Sequence, residues 1–153
     1  MPPRKVVLDT NCFIDAGASD AAYATFEDFT TRAAPRLYLS SVVSAELRAG
    51  APRPAERKQL EDQVLHPFER RGRTVTPSAA AWRALGDVLA TLVRDEGLVL
   101  RRVKRSFVFD ILIAYSCREI GALFISGNTH DLDRIARVFA FDYAAPYPDL
   151  ASI

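Results

Sequence analysis

The sequence predicts an α/β fold with a central, mainly parallel sheet. Three observations carry this reading: short apolar runs alternate with longer amphipathic stretches, 153 residues suit one domain with a sizeable core, and no linker interrupts them. The only Pro-rich spacer, Ala51–Pro54, is far shorter than an interdomain connection, and no repeat or low-complexity segment occurs. Residues 1–153 are therefore expected to form a single domain.

Val6–Leu8 reads as the first strand and stops at Asp9, after which Asn11 is a candidate cap for a short helix. Asp20 is a candidate cap for a second helix, which carries Tyr23, Phe26 and Phe29 at helical spacing on a face expected to join the core. Leu37–Leu39 is the second strand; Ser40 or Ser41 starts the helix that contains Glu46 and ends near Gly50, with Pro52 and Pro54 marking the break. From Pro54 to about Arg71 one helix is expected, with Leu60, Val64 and Phe68 on one side. Thr74–Thr76 suits a short strand. Pro77 and Ser78 precede a long helix whose stripe of Trp82, Leu85, Leu89 and Leu92 is expected to be core, with Gly97 as its end. Ser106 is the candidate cap of a helix reaching about Glu119, closed by Gly121. Leu123–Ile125 then forms a buried strand, Ser126-Gly127-Asn128 a turn and Thr129–Arg137 a last helix, followed by the apolar run Val138–Phe141 and a Pro-rich tail.

The chain is 49% hydrophobic and 25% charged, the balance of a globular protein, and no stretch approaches the ~20 apolar residues needed to cross a membrane. The apolar stretch behind the basic N-terminus is too short for an export signal, so a cytoplasmic location is expected. Cys12 and Cys117 have no metal-ligand spacing and read as reduced, buried thiols. A net charge of +1 excludes neither a nucleic-acid partner nor its absence, but the distribution is uneven: Arg101, Arg102, Lys104 and Arg105 form one tight basic cluster, and Arg70, Arg71 and Arg73 another.

Four acids stand in settings that favour chemistry. Asp9 ends a strand, where ligands collect in parallel sheets and where a charge avoids the burial it would meet one residue earlier; an aspartate tying down a turn is the ordinary alternative. Glu46 has the apolar helical neighbours Val42, Val43 and Leu47, which set it on or beside the buried stripe. Asp110 is the sole charge among Phe107, Val108, Phe109, Ile111, Leu112 and Ile113. A helix macrodipole offers a first-turn carboxylate about 0.3–1 kcal/mol, less than such surroundings cost it without a cation or donor. Asp131, near the capping candidates Asn128 and Thr129, reads as structural when taken alone. Converging at one sheet edge, the four would repel unless divalent cations neutralised them, and all-oxygen ligation suits Mg²⁺ or Mn²⁺. Such a site implies phosphodiester hydrolysis without a histidine or serine nucleophile.

Taken in order, Asp9-Thr10-Asn11, Glu46, Asp110 and Ser126-x-Asn128-x-x-Asp131 resemble the acidic pattern of PIN-domain nucleases over nearly the whole chain, whose length also resembles VapC-type toxins. The resemblance implies a three-layer α/β/α fold and a Mg²⁺- or Mn²⁺-dependent endoribonuclease that cleaves structured RNA such as transfer or ribosomal RNA. It further implies a type II toxin held inactive by a cognate VapB-type antitoxin, and usually a homodimer. By correspondence Asp9, Glu46, Asp110 and Asp131 would bind metal, Asn11 and Ser126 would orient carboxylates or water, and Asn128 would shape the turn. Ser126 stands where threonine is more frequent, and either hydroxyl can donate to a carboxylate. Asp133 is a candidate substitute for Asp131.

The cluster Arg101–Arg105 is placed to contact RNA phosphates, or an acidic antitoxin segment competing for the same residues, the alternative being a solvated loop. His66 and His130 are weak catalytic candidates, and exposed apolar residues on the Pro54–Arg71 helix or the one before it would suit a dimer face. Competing functions are a housekeeping RNA-processing PIN nuclease without antitoxin and a noncatalytic RNA-binding module. A phosphotransferase with Asp9 as nucleophile ranks below these, because Asn11 replaces the second acid of the usual Asp-x-Asp motif.

Overall fold

Val6, Val7 and Leu8 are each at most 3% exposed. A strand buried on both faces belongs in the middle of a parallel sheet with helices on either side, and the computed structural model, which describes residues 2–153, has that arrangement. Strands β1 (Val6–Leu8), β2 (Leu37–Ser40), β3 (Thr74–Val75), β4 (Leu123–Ile125) and β5 (Tyr143–Ala144) lie in the order β3-β2-β1-β4-β5, every neighbouring pair parallel. In register, Val7 sits between Tyr38 and Phe124, and Leu8 pairs with Ile125. The carboxyl ends of β1 and β4 thus finish side by side, and the residues that follow them, Asp9 and Ser126, are neighbours.

The helices are α1 (Thr10–Asp15), α2 (Asp20–Ala33), α3 (Ser41–Ala49), α4 (Pro54–Leu60), α5 (His66–Arg70), α6 (Ala79–Glu96), α7 (Arg105–Ile120) and α8 (Thr129–Ala136). The alternation of side chains along β1 and β4 divides the core in two. Val7 and Phe124 point into a layer with α3, α6, α7 and α8, through residues such as Val43, Val88, Ile111 and Leu132. Val6, Leu8, Leu123 and Ile125 point the other way, against Cys12, Phe29, Ala33 and Leu150. The result is the expected α/β/α sandwich. Among the described residues no helix is long and apolar enough to cross a membrane.

Local chemistry explains where element boundaries and faces differ from the sequence reading. Asp9, not Asn11, caps α1 and accepts from the Thr10 N–H; Ser19, not Asp20, caps α2 through the Ala22 N–H. Helix α7 starts at Arg105 with no side-chain cap, so Ser106 lies inside it. The expected Pro54–Arg71 helix is divided: a wider π-helical turn, Glu61–Leu65, separates α4 from α5 just ahead of Pro67, which has no N–H to continue an α-helical ladder. Leu65 of that turn is fully buried, and Leu60, Val64 and Phe68 pack against the core, so this helix offers no apolar dimer face. On α2 only Phe29 and Ala33 are buried; Phe26 meets the edge of Phe13, while Tyr23 is 53% exposed.

Trp82 is likewise not core. Helix α6 packs along α7 through Ala81, Val88 and Leu92, and the small Ala81 at the contact turns Trp82 outward to 57% exposure. Val138–Phe141 is not a strand; Phe139 and Phe141 stack toward Tyr143, and the last strand begins only at that residue. Gly97 and Gly121 end their helices as expected, both in the left-handed conformation that favours glycine.

Phe124 is 0% exposed at the centre of the sheet. Phe124→Ala is expected to lower stability by about 3–5 kcal/mol, read as the shift of the urea unfolding midpoint at constant slope; a loss below about 1 kcal/mol would mean this layer repacks freely.

Candidate active site

Asp9 is only 4% exposed, so it does not escape burial by ending its strand. Its carboxylate is instead wrapped in donors: the Thr10 N–H at 2.8 Å to one oxygen, and Ser126 Oγ at 2.6 Å and Asn11 Nδ2 at 3.1 Å to the other. Asn11 also donates to Ser126 Oγ at 3.0 Å and accepts from the Gly127 N–H at 3.0 Å, which ties the end of β1 to the turn after β4. The backbone N–H of Asp9 closes the same junction on the Ile125 carbonyl at 2.9 Å.

Asp110 is equally buried, at 4% exposure. Because α7 begins at Arg105, it stands in the second turn, where the macrodipole no longer accounts for it. Asn128 does more than shape its turn: Nδ2 donates to Asp110 at 2.8 Å and to Asp131 at 3.0 Å, coupling α7 to the first turn of α8. Glu46, half-buried on α3, accepts from Thr10 Oγ1 at 2.8 Å. Helix α3 is itself braced by Arg48, which reaches Glu61 at 2.6 Å and Glu69 at 3.1 Å. Asp9, Glu46, Asp110 and Asn128 line one small cavity of about 170 Å³ with Thr10, Asn11, Ile14 and Ser106. A larger groove, about 790 Å³, lies by Lys5 and Arg36 at the opposite ends of the strands and contains no acid.

Burial pushes the Asp110 carboxyl up to about 8, aided by the charge of Asp9 and then of Asp131 and Glu46, and opposed by the Asn128 hydrogen bond. Asp9 is raised by burial too, against its donors Ser126, Thr10 and Asn11. Glu46 moves the same way, through burial and the charge of Asp9, with Thr10 and Arg105 opposing. Among the described residues no three His, Cys, Asp or Glu side chains are gathered into a ready-made cation cage. Asp9 and Asp110 line the same cavity, Asp131 is joined to Asp110 through Asn128, and Glu46 is joined to the strand end through Thr10.

Other candidates are sorted by position. Asp133 is exposed on the other side of α8 from Asp131 and accepts from the Tyr143 hydroxyl. Arg102 and Lys104 line a groove that contains Asp131, Arg105 stands near Glu46, and Arg101 lines neither cavity. His66 and His130 are exposed. Cys12 and Cys117 are free and buried, and burial pushes the Cys12 thiol up to about 12. Sequence reasoning gave no role to Thr10 and took Ser106 only as a cap. The adjacency of Thr10 to Asp9 was the available signal, but its partner Glu46 is 36 residues away.

A family model described as "PIN domain" matches residues 6–138. No curated protein matches. Among solved structures the chain is similar to FitAB bound to a DNA fragment, with 15% identity, a TM-score of 0.69 and coverage of 94% of this chain and 97% of that one. It is also similar to VapBC from Salmonella typhimurium bound to DNA, at 19% identity, TM-score 0.65 and coverage of 93% and 98%. For VapBC2 from Rickettsia felis, bound to a DNA fragment from their promoter, the values are 23%, 0.60, 92% and 97%.

Because the folded pKa of Asp110, about 8, lies above the ordinary 3.8, the native state keeps a proton that the unfolded chain has released. The stability tied to that proton is whole below about pH 4 and is lost as pH rises toward 8. Asp110→Asn, which cannot ionise, is expected to stabilise the fold at about pH 8.5 and to change it far less at about pH 5. Urea unfolding of both proteins at the two pH values tests this; an equal effect at both would mean Asp110 does not titrate in that window.

Proposed function

The chain belongs to the PIN-domain family, and from that premise we propose that it is a Mg²⁺- or Mn²⁺-dependent endoribonuclease acting as the toxin of a VapBC-type pair. The observation that carries the reading is the cavity at the carboxyl ends of the central strands, which two buried carboxyls, Asp9 and Asp110, both line. Carboxylates crowded until one of them holds its proton to about 8 suit a divalent cation, and every side-chain donor around them is an oxygen or an amide, the set that hard cations prefer.

Asp9 and Asp110 would hold the cation, with Asp131 and Glu46 contributing directly or through water. The cation supplies positive charge against the phosphodiester and its leaving oxygen. The chain's own residues prepare for it. Ser126, Asn11 and the Thr10 N–H fix the Asp9 carboxylate in one orientation, and Asn128 engages one oxygen each of Asp110 and Asp131. Thr10 restrains Glu46 at the rim, where its carboxylate can accept a proton from water at Oε2. Arg102, Lys104 and Arg105 border the acids and would attract an RNA backbone.

The partner part of the proposal is supported by likeness to the FitAB and VapBC structures. An acidic antitoxin segment would compete with RNA for the same cations. A homodimer is included, and exposed Trp82 and Val93, which share one side of α6, supply an apolar face for it.

The deciding measurement is cleavage of a mixed transfer and ribosomal RNA pool. Cutting is expected in Mg²⁺ or Mn²⁺, none in EDTA, and a loss of roughly a hundredfold or more in Asp9→Asn and in Asp110→Asn. Cleavage that survives both substitutions would overturn the assignment.

A further inference from the structure

Beside the acidic cavity lies a second groove of about 270 Å³, lined by Leu98, Arg102, Val103, Lys104, Phe107 and Arg134, with Asp131 on its border. Its two kinds of cation differ. Arg134 is pinned: its guanidinium sits over the Phe107 ring at 4.9 Å and its edges engage Glu96 at 3.2 Å and Asp131 at 3.9 Å. Glu96 also takes Arg137 at 3.3 Å, which anchors it at the end of α6. Held between two carboxylates and a ring, its guanidinium is a platform for stacking. Arg102 and Lys104, by contrast, are exposed and make no side-chain hydrogen bond or ion pair among the described residues.

We propose that this groove is a subsite for one nucleotide of single-stranded RNA next to the scissile phosphate, its base against Arg134 and its phosphate on Arg102 and Lys104. The proposal rests on the ribonuclease reading for its substrate. The wall of Leu98, Val103 and Phe107 would cover the apolar face of a base. An acidic peptide would use the two free cations but has no need of a pinned guanidinium or an aliphatic wall. Asp131 lines this groove and is bridged through Asn128 to Asp110 of the acidic cavity, so the subsite adjoins the acids. Arg134 thereby acts as a positioning residue for Asp131 as well as a contact for the base.

The test reads binding without chemistry. Adenosine 5′-monophosphate and ribose 5-phosphate are titrated into the full-length Asp9→Asn protein without divalent cations, following the Leu98 and Val103 methyl signals and Arg134 Nε by NMR. Adenosine monophosphate is expected to move all three and to bind about tenfold or more tightly than ribose 5-phosphate, since only it can stack. Arg102→Ala with Lys104→Ala, both at exposed loop positions, is expected to weaken adenosine monophosphate about tenfold. Equal binding of the two ligands, or signals that do not move, overturns the subsite; so does a hexaglutamate peptide that moves the same signals at lower concentration than adenosine monophosphate. Failure of RNA cleavage with this binding intact would instead count against the nuclease reading alone.

Discussion

Keeping Asp9 and Asp110 buried beside each other is the constraint around which the rest of the molecule is arranged. Each carboxyl is almost fully withdrawn from water, and each raises the cost of ionising the other. The fold tolerates this through donors drawn from distant parts of the chain: Thr10 and Asn11 from α1, Ser126 and Asn128 from the turn after β4. Those donors are the same groups that join the strand ends, so the hydrogen bonds that make the acids bearable also hold β1, β4, α7 and α8 in register. Packing alone would not require such an arrangement. The oxygen-rich lining of the cavity is the kind of donor set that suits a hard cation.

The parallel sheet supplies the geometry. With β1 between β2 and β4, three chain segments separated by dozens of residues end at the same edge, and the helices that follow start there as well. Helix α3 brings Glu46, α7 brings Asp110 and α8 brings Asp131. Charge is graded across this edge: acids in the cavity, a pinned Arg134 at its border, and unneutralised Arg102 and Lys104 beyond. A polyanion would be drawn in by the outer cations while its phosphate meets the acids only through a metal ion.

Much of this was legible in the sequence. The three-residue apolar runs identified β1, β2 and β4, since strands buried on both faces carry no alternation to disguise them. Gly97 and Gly121 marked their helix ends. Asp110 drew attention because a lone charge among six large apolar residues has few structural explanations. What misled was face assignment on the amphipathic helices. Trp82 and Tyr23 satisfied a helical period yet lie outside, because a period gives a stripe while the neighbour's shape decides which edge of the stripe is covered; Ala81 against α7 turned Trp82 to solvent.

By itself the sequence determined the α/β class, the order of the elements and the four acids in their local settings, because strand runs, caps and periods are written in residues a few positions apart. Only the tertiary structure decided that Asp9 and Asp110 line one cavity and that Asn128 bridges Asp110 to Asp131. It alone separated Asp131 from Asp133, which faces Tyr143 on the far side of α8. The Ser126–Asp9 and Asn128–Asp110 hydrogen bonds span 117 and 18 residues. No local pattern encodes them, because the register of a parallel sheet is set by crossovers through the whole core rather than by any turn.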